Sequence, residues 1–191
     1  MTTEPDPDDR DEGAIKVDGT LEAIGTLTNA GDFQAAYLLA VPFAEPHELD
    51  AKAQLLAAYA CDRAGYEQHA LVFYQRAWDL GVPLEPRFHF LIGYSSTLKN
   101  VGRAAESLQW LREAGKRPPG HPAPAAFTAL SLHSVGETAQ ALATMLDAAL
   151  KTEGGNGLAP YTRALTEYRN SFLAETGRVE FAIPPVKPRN S

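Results

Sequence analysis

The 191-residue chain has one cysteine, Cys61, so no intrachain disulfide and no cysteine-based metal knuckle can form. No run of residues approaches the roughly 18 apolar positions of a membrane span. The start is acidic where a signal peptide would be positive and then apolar, so the expected location is the cytoplasm. Basic clusters are missing too. The formal charge is -7, and the first twelve residues hold Glu4, Asp6, Asp8, Asp9, Asp11 and Glu12 against Arg10 alone, which leaves a near-neutral body. Without a basic stripe there is no counterion release to drive binding, so nucleic acid is not the expected partner. The histidines His47, His69, His89, His121 and His133 are scattered, with no i, i+4 pair to hold a metal. No phosphate loop, nucleophile elbow or dinucleotide fingerprint is present. Adjacent acids such as Asp8 and Asp9 sit where nothing could desolvate them and raise a pKa. These absences point to a protein that is not an enzyme, with no catalytic residues, no cofactor and no metal.

What the chain does have is a period. Gly31, Gly65, Gly102 and Gly136 are spaced 34, 37 and 34 residues apart, close to the period of stacked helix pairs. With each glycine at position 15 of its repeat, position 11 reads Leu27, Cys61, Leu98 and Leu132. Position 20 reads Ala36, Ala70, Ser107 and Ala141, position 21 reads Tyr37, Leu71, Leu108 and Leu142, and position 27 reads Phe43, Ala77, Ala114 and Ala148. Small residues at 20 and 27 let two helices approach closely. A glycine suits the reversal between them, because a left-handed residue is cheap only for Gly. In this register Cys61 points into the helix seam, where a thiol acts as a small apolar filler rather than a nucleophile. The 37-residue interval requires three inserted residues, which the spacing places in a loop from Gly81 to Arg87, with Pro86 in the first helical turn.

These residues resemble the tetratricopeptide repeat, whose two helices and turn occupy about 34 residues with small residues at positions 8, 20 and 27. The match is strongest in Ala58, Gly65, Ala70, Tyr74 and Ala77. It is weaker in the first repeat, where position 8 is Ile24, position 27 is Phe43 and Pro42 falls inside the expected second helix. The motif's aromatic at position 4 is absent throughout. Ser96 to Gly102 looks like the end of a first helix in small stand-alone bacterial tetratricopeptide proteins. The resemblance implies an all-α, right-handed α-α superhelix of three to four helix pairs with a C-terminal capping helix.

The expected organisation is an acidic disordered tail over 1–13 and a solenoid over 14–177. Its repeats span about 17–50, 51–84, 88–121 and 122–155, with a cap helix at 158–176 and a Pro-rich tail at 178–191. The cap follows the break at Gly154 to Gly157. Leu158, Tyr161, Leu165, Tyr168 and Phe172 form one apolar stripe, and Arg163, Glu167, Arg169 and Glu175 form the other face. The stripe packs on the fourth repeat or, alternatively, forms a dimer seam. Pro185 to Pro188 has a P-x-x-P spacing that also arises by chance in a frayed tail.

In the tetratricopeptide architecture, positions 2, 5, 9, 12 and 13 of the first helix line the concave surface. The resemblance therefore implies a peptide-binding groove formed by Tyr59, Asp62, Arg63, Ser96, Lys99, Asn100, Leu130 and His133. Basic and amide groups there suit a carboxylate or an acidic peptide, including a C-terminal one, though Lys and Arg also favour any helix C-terminus. The family's two-carboxylate clamp has Lys and Asn at positions 5 and 9, which are Leu55 and Tyr59 here, so that role is not implied. The expected function is a non-catalytic adaptor or scaffold that binds a segment of another protein, as a monomer or homodimer, with no membrane partner. The alternative is a self-associating structural subunit, paired through the cap helix or the first repeat's Pro42 to Pro46 region. The acidic tail is a further candidate, one that could dock in the groove and compete with the partner.

Overall fold

The computed structural model describes residues 19–116, 120–151 and 158–175. The acidic tail, the Gly154 to Gly157 break and the Pro-rich tail lie outside the described residues. Those described form helices and turns, without a strand, and no helix among them is long and apolar enough to cross a membrane. Within the span expected as one domain, the chain forms two compact units that divide between Val82 and Pro83.

The first unit contains α1 (residues 19–29), α2 (Phe33–Ala44), α3 (Ala51–Arg63) and α4 (Glu67–Leu80). α3 packs against both α2 and α4. Its start is fixed by Asp50, whose carboxylate accepts from the amides of Lys52 at 2.8 Å and Ala53 at 3.3 Å. Asp32 caps α2 by accepting from Ala35 at 3.1 Å. The seam is built of very small side chains: Ala36, Ala58, Ala70 and Ala77 are fully buried, as is Cys61. Pro42 does not end α2, which continues to Ala44. It sits on the exposed side within the last turn, where the carbonyl it leaves without a donor belongs to Leu38, itself exposed. The end of α2 lacks a glycine and is closed by other groups. The buried Gln54 amide donates to Ala44 O at 2.7 Å and His47 O at 3.0 Å, and the His47 ring donates from Nδ1 to Phe43 O at 2.6 Å.

The second unit contains α5 (Leu84–Asn100), α6 (Ala104–Ala114), α7 (Pro122–Ser134), α8 (Thr138–Lys151), a 3-10 turn (Ala159–Tyr161) and α9 (Thr162–Glu175). Helices consecutive in the chain pack on one another, and α5 also packs on α7. Phe90 and Tyr94 meet Trp110 edge-on, while Leu108, Ala129, Leu132 and Ala141 form a buried cluster with Val135 against it. Ser107 and Ser131 share a buried hydrogen bond of 2.9 Å between α6 and α7. The expected insertion loop at Gly81 to Arg87 is a correction. Only Gly81 to Pro83 are non-helical, and the extra residues lengthen α5 to 17 residues, against 13 in α3 and in α7. Pro86 is the third residue of α5, where an amide would have no intrahelical acceptor, so the helix loses no bond by accommodating it.

The four glycines build the same turn four times. Each has a positive φ, between 81° at Gly31 and 90° at Gly136. The glycine amide donates to the carbonyl of position 12 (Thr28, Asp62, Lys99, His133), at 3.0 to 3.3 Å. The next amide reaches back to position 11 (Leu27, Cys61, Leu98, Leu132), at 2.8 to 3.0 Å. This pair of bonds is the Schellman arrangement. The second helix of each pair starts at once: the amides of Ala36, Ala70, Ser107 and Ala141 donate to the residue that follows the glycine.

The terminal helix differs from the expected stripe. α9 packs on α8, but Tyr161 and Tyr168 are 61% and 62% exposed, while Leu165, Arg169 and Phe172 are half-buried. Arg169, assigned above to the outer face, turns inward because Asp147 on α8 accepts from its guanidinium at 3.0 Å. Asp147 also pairs with Lys151 at 2.6 Å. The Lys151 contact, and then that of Arg169, holds the Asp147 carboxyl below the ordinary aspartate range. Because the folded-state value is depressed, this stabilisation is complete above the unfolded value near ~3.9 and is lost as pH falls through the folded one. Replacing Asp147 with Asn should lower unfolding free energy by about 0.5 to 1 kcal/mol at neutral pH, the modest size expected for a solvent-screened pair. Denaturant midpoints of variant and wild type should converge as the medium is acidified below the aspartate range.

Candidate functional site

Three of the predicted groove residues lie on α3 in the first unit. Tyr59 is half-buried, with its ring edge-on to Tyr74 at 5.8 Å, and its hydroxyl is buried without a hydrogen-bond partner. Burial pushes its phenol up to about 12, with the Arg63 charge acting the other way. Asp62 accepts from the hydroxyl of Tyr74 at 3.4 Å, and burial first, then the Asp62 charge, raises the Tyr74 phenol further. Arg63 lies over the Phe33 ring, 5.9 Å from its centroid, a cation-π distance. On this helix the residues expected to wait for a ligand are therefore partly engaged inside their own unit, and Tyr59 is as much a packing residue as a surface one. Leu55, at a clamp position in the family, is buried.

The other five lie on α5 and α7, two helices of the second unit that pack on each other. Lys99 and His133 occupy the same place in successive turns, since their carbonyls accept the Gly102 and Gly136 amides. In α5 and α7 a basic side chain therefore stands at the C-terminal end of the helix, where the same turn in the first unit holds Thr28 and Asp62. The Lys99 ammonium donates to Asn100 Oδ1 at 2.7 Å, and His133 Nδ1 lies 3.4 Å from Thr138 Oγ1. Leu130, three residues before His133, is 46% exposed, and Ser96, three before Lys99, is half-buried. The face thus offers a cation with its amide neighbour, an imidazole and an apolar surface. Its groups suit a carboxylate next to an apolar side chain.

Reaction chemistry finds no support at Cys61. The thiol is buried and pushed up to about 12 by that burial and by the neighbouring Asp62 charge, so it is a thiol and not a thiolate at neutral pH. Among the described residues no group of three or more His, Cys, Asp or Glu side chains could hold a metal ion. Sequence reasoning did not anticipate a groove between α2 and α4 that gathers Glu45, Glu48, His69 and Arg76. The one available signal was on α4, where His69, Val72, Phe73 and Arg76 share a helical face by their spacing of three, four and seven residues. A thiol reagent at neutral pH should label Cys61 only as fast as the first unit opens, and sub-denaturing urea should speed the labelling. Rapid stoichiometric labelling of the native protein would contradict its burial.

No curated protein matches the chain. The family described as Tetratrico peptide repeat matches residues 51–172, more than half of the sequence. Together with helix pairs reversed at a recurring glycine, small residues in the seams and the absence of strands among the described residues, this match shows that the chain belongs to the tetratrico peptide repeat family.

Proposed function

We propose that the protein is a non-catalytic cytoplasmic adaptor that holds a segment of another protein on the α5–α7 face of its second unit. Domains of this family generally mediate protein–protein interactions, and the family is typically non-catalytic. The observation that carries the reading is the recurrence of a basic side chain, Lys99 and then His133, at equivalent turns of two helices packed together, with Leu130 exposed beside them. The segment it fits has a carboxylate, from an acidic residue or a free C-terminus, next to an apolar residue. Lys99 and His133 take the carboxylate, Asn100 and Ser96 offer further hydrogen bonds, and Leu130 takes the apolar side chain. Charge-assisted hydrogen bonds of this kind contribute about 1.5 to 3 kcal/mol each when desolvated. On the first unit, Arg63 is an exposed cation stacked on Phe33 and supplies a separate, weaker point of contact.

Fluorescence anisotropy with a panel of labelled peptides, acidic or amidated and basic at their C-termini, tests this reading. Acidic peptides with an adjacent apolar residue should bind, and Lys99→Glu with His133→Glu should weaken them by at least about 100-fold, the loss of two such bonds. Helical content and melting temperature should stay unchanged. Equal binding by wild type and double variant would remove the α5–α7 face from the account.

A further inference from the structure

The groove between α2 and α4 belongs to the first unit alone and encloses about 380 Å³. Its apolar lining is Val41 from α2 with Val72 and Phe73 from α4. Glu45 and Glu48, at and just beyond the end of α2, line its acidic side. His69 and Arg76, on one face of α4, line its basic side. All four charged or titratable residues are exposed. None of them forms an ion pair among the described residues: Arg76 lies over the Phe73 ring at 5.7 Å, and His69 stacks on Tyr66 at 6.4 Å. Acids and bases therefore share one small groove without neutralising each other.

Exposed apolar surface continues from it. Val72 is 49% exposed, Leu38, one turn before Val41 on α2, is 62% exposed, and Leu49, next to Glu48, is 87% exposed. Water-exposed leucines at this level beside a lined groove are the kind of surface that association covers. The charge pattern selects the occupant. A basic segment would satisfy Glu45 and Glu48 but face Arg76, and an acidic segment would meet the reverse problem. A surface that carries both signs around an apolar centre satisfies both sides, and this face is itself such a surface. Isologous twofold contacts require that self-complementarity.

We propose that the α2–α4 face is the seat of a homodimer. Glu45 and Glu48 of each copy meet His69 and Arg76 of the other, across an apolar centre formed by Val41 and Val72, with Leu38 and Leu49 covered at its edges. The proposal does not depend on the peptide-binding reading, whose residues lie on α5 and α7.

Light scattering of the full chain tests it. Wild type should show twice the 20.6 kDa chain mass. Glu45→Lys with Glu48→Lys should halve the observed mass, and so should, separately, His69→Glu with Arg76→Glu. Each variant opposes like charges on both sides of the twofold, whereas an equimolar mixture of the two pairs opposite charges everywhere and should restore the dimer. Circular dichroism identical to wild type shows that the variants fold, and the recovery on mixing is a result that misfolded chains could not give. Three results would overturn the proposal: a monomeric wild type, a dimer that survives both charge reversals, or folded variants that stay monomeric when mixed. A dimer lost only on Tyr168→Ser would overturn it in favour of α9.

Discussion

The glycine turn that closes each helix pair holds two hydrogen bonds in place, and everything else about the pair follows from them. An amide at the left-handed residue satisfies the carbonyl of position 12, and the next amide satisfies that of position 11. These carbonyls would otherwise be orphans at the end of the first helix. The residue after the glycine already serves as acceptor for the second helix, so the reversal takes only a few residues and two helices are set side by side at once. Close approach then demands small side chains, and Ala36, Ala70, Ser107 and Ala141 supply them at the point where each second helix starts. The same geometry places position 12 at the rim of the first helix. There its carbonyl is committed to the turn, while its side chain makes contacts of its own, as Lys99 does with Asn100 and His133 with Thr138. Lys99 and His133 are candidates for binding because a backbone requirement put them there.

Much of this was legible in the sequence because both requirements leave a residue-type signature. Left-handed backbone selects glycine, and close packing selects alanine or serine at fixed offsets from it. The burial of Cys61 follows from the register alone. Other features have no such signature. Tyr161 and Tyr168 read as inward because apolar periodicity counts their rings, while Arg169, with a long apolar stem and a charged head, reads as outward. The ion pair with Asp147 reverses this, and nothing in the local pattern announces a partner 22 residues away. Three added residues between Gly65 and Gly102 were visible, but a helix can absorb them at its first turn as readily as a loop can, and α5 does. Gln54 as the closure of α2 was equally hidden, since its acceptors, Ala44 and His47, lie on the preceding helix and connection.

The candidate surfaces divide along the same line. The α5–α7 residues were named from the register, which says where a side chain emerges but not what it touches. The structure adds that Asn100 already engages Lys99, and that Tyr59, Asp62 and Arg63 are partly occupied with Tyr74 and Phe33. The α2–α4 groove could not be named from periodicity. It requires residues from the second helices of two repeats to line one groove, and one of its acids, Glu48, belongs to a connection outside any periodic segment. The two candidate surfaces thus differ chemically: the α5–α7 face is basic and amide-rich beside an exposed leucine, and the α2–α4 groove is apolar with both charge signs around it.

The dependence of the fold on left-handed turns is tested most directly by glycine-to-alanine substitution, one site at a time, read by denaturant unfolding. At Gly31, Gly65, Gly102 and Gly136 an added Cβ would meet nothing within 4 Å, so any cost comes from backbone conformation and not from a clash. Each should lose about 1 to 2 kcal/mol, the price of a left-handed residue with a side chain. Gly25, also open but inside α1 and without a positive φ, should instead gain about 0.5 to 1 kcal/mol from improved helix propensity. Four destabilised variants beside one stabilised control is the predicted result. A neutral or stabilising substitution at any of the four turns would contradict the account.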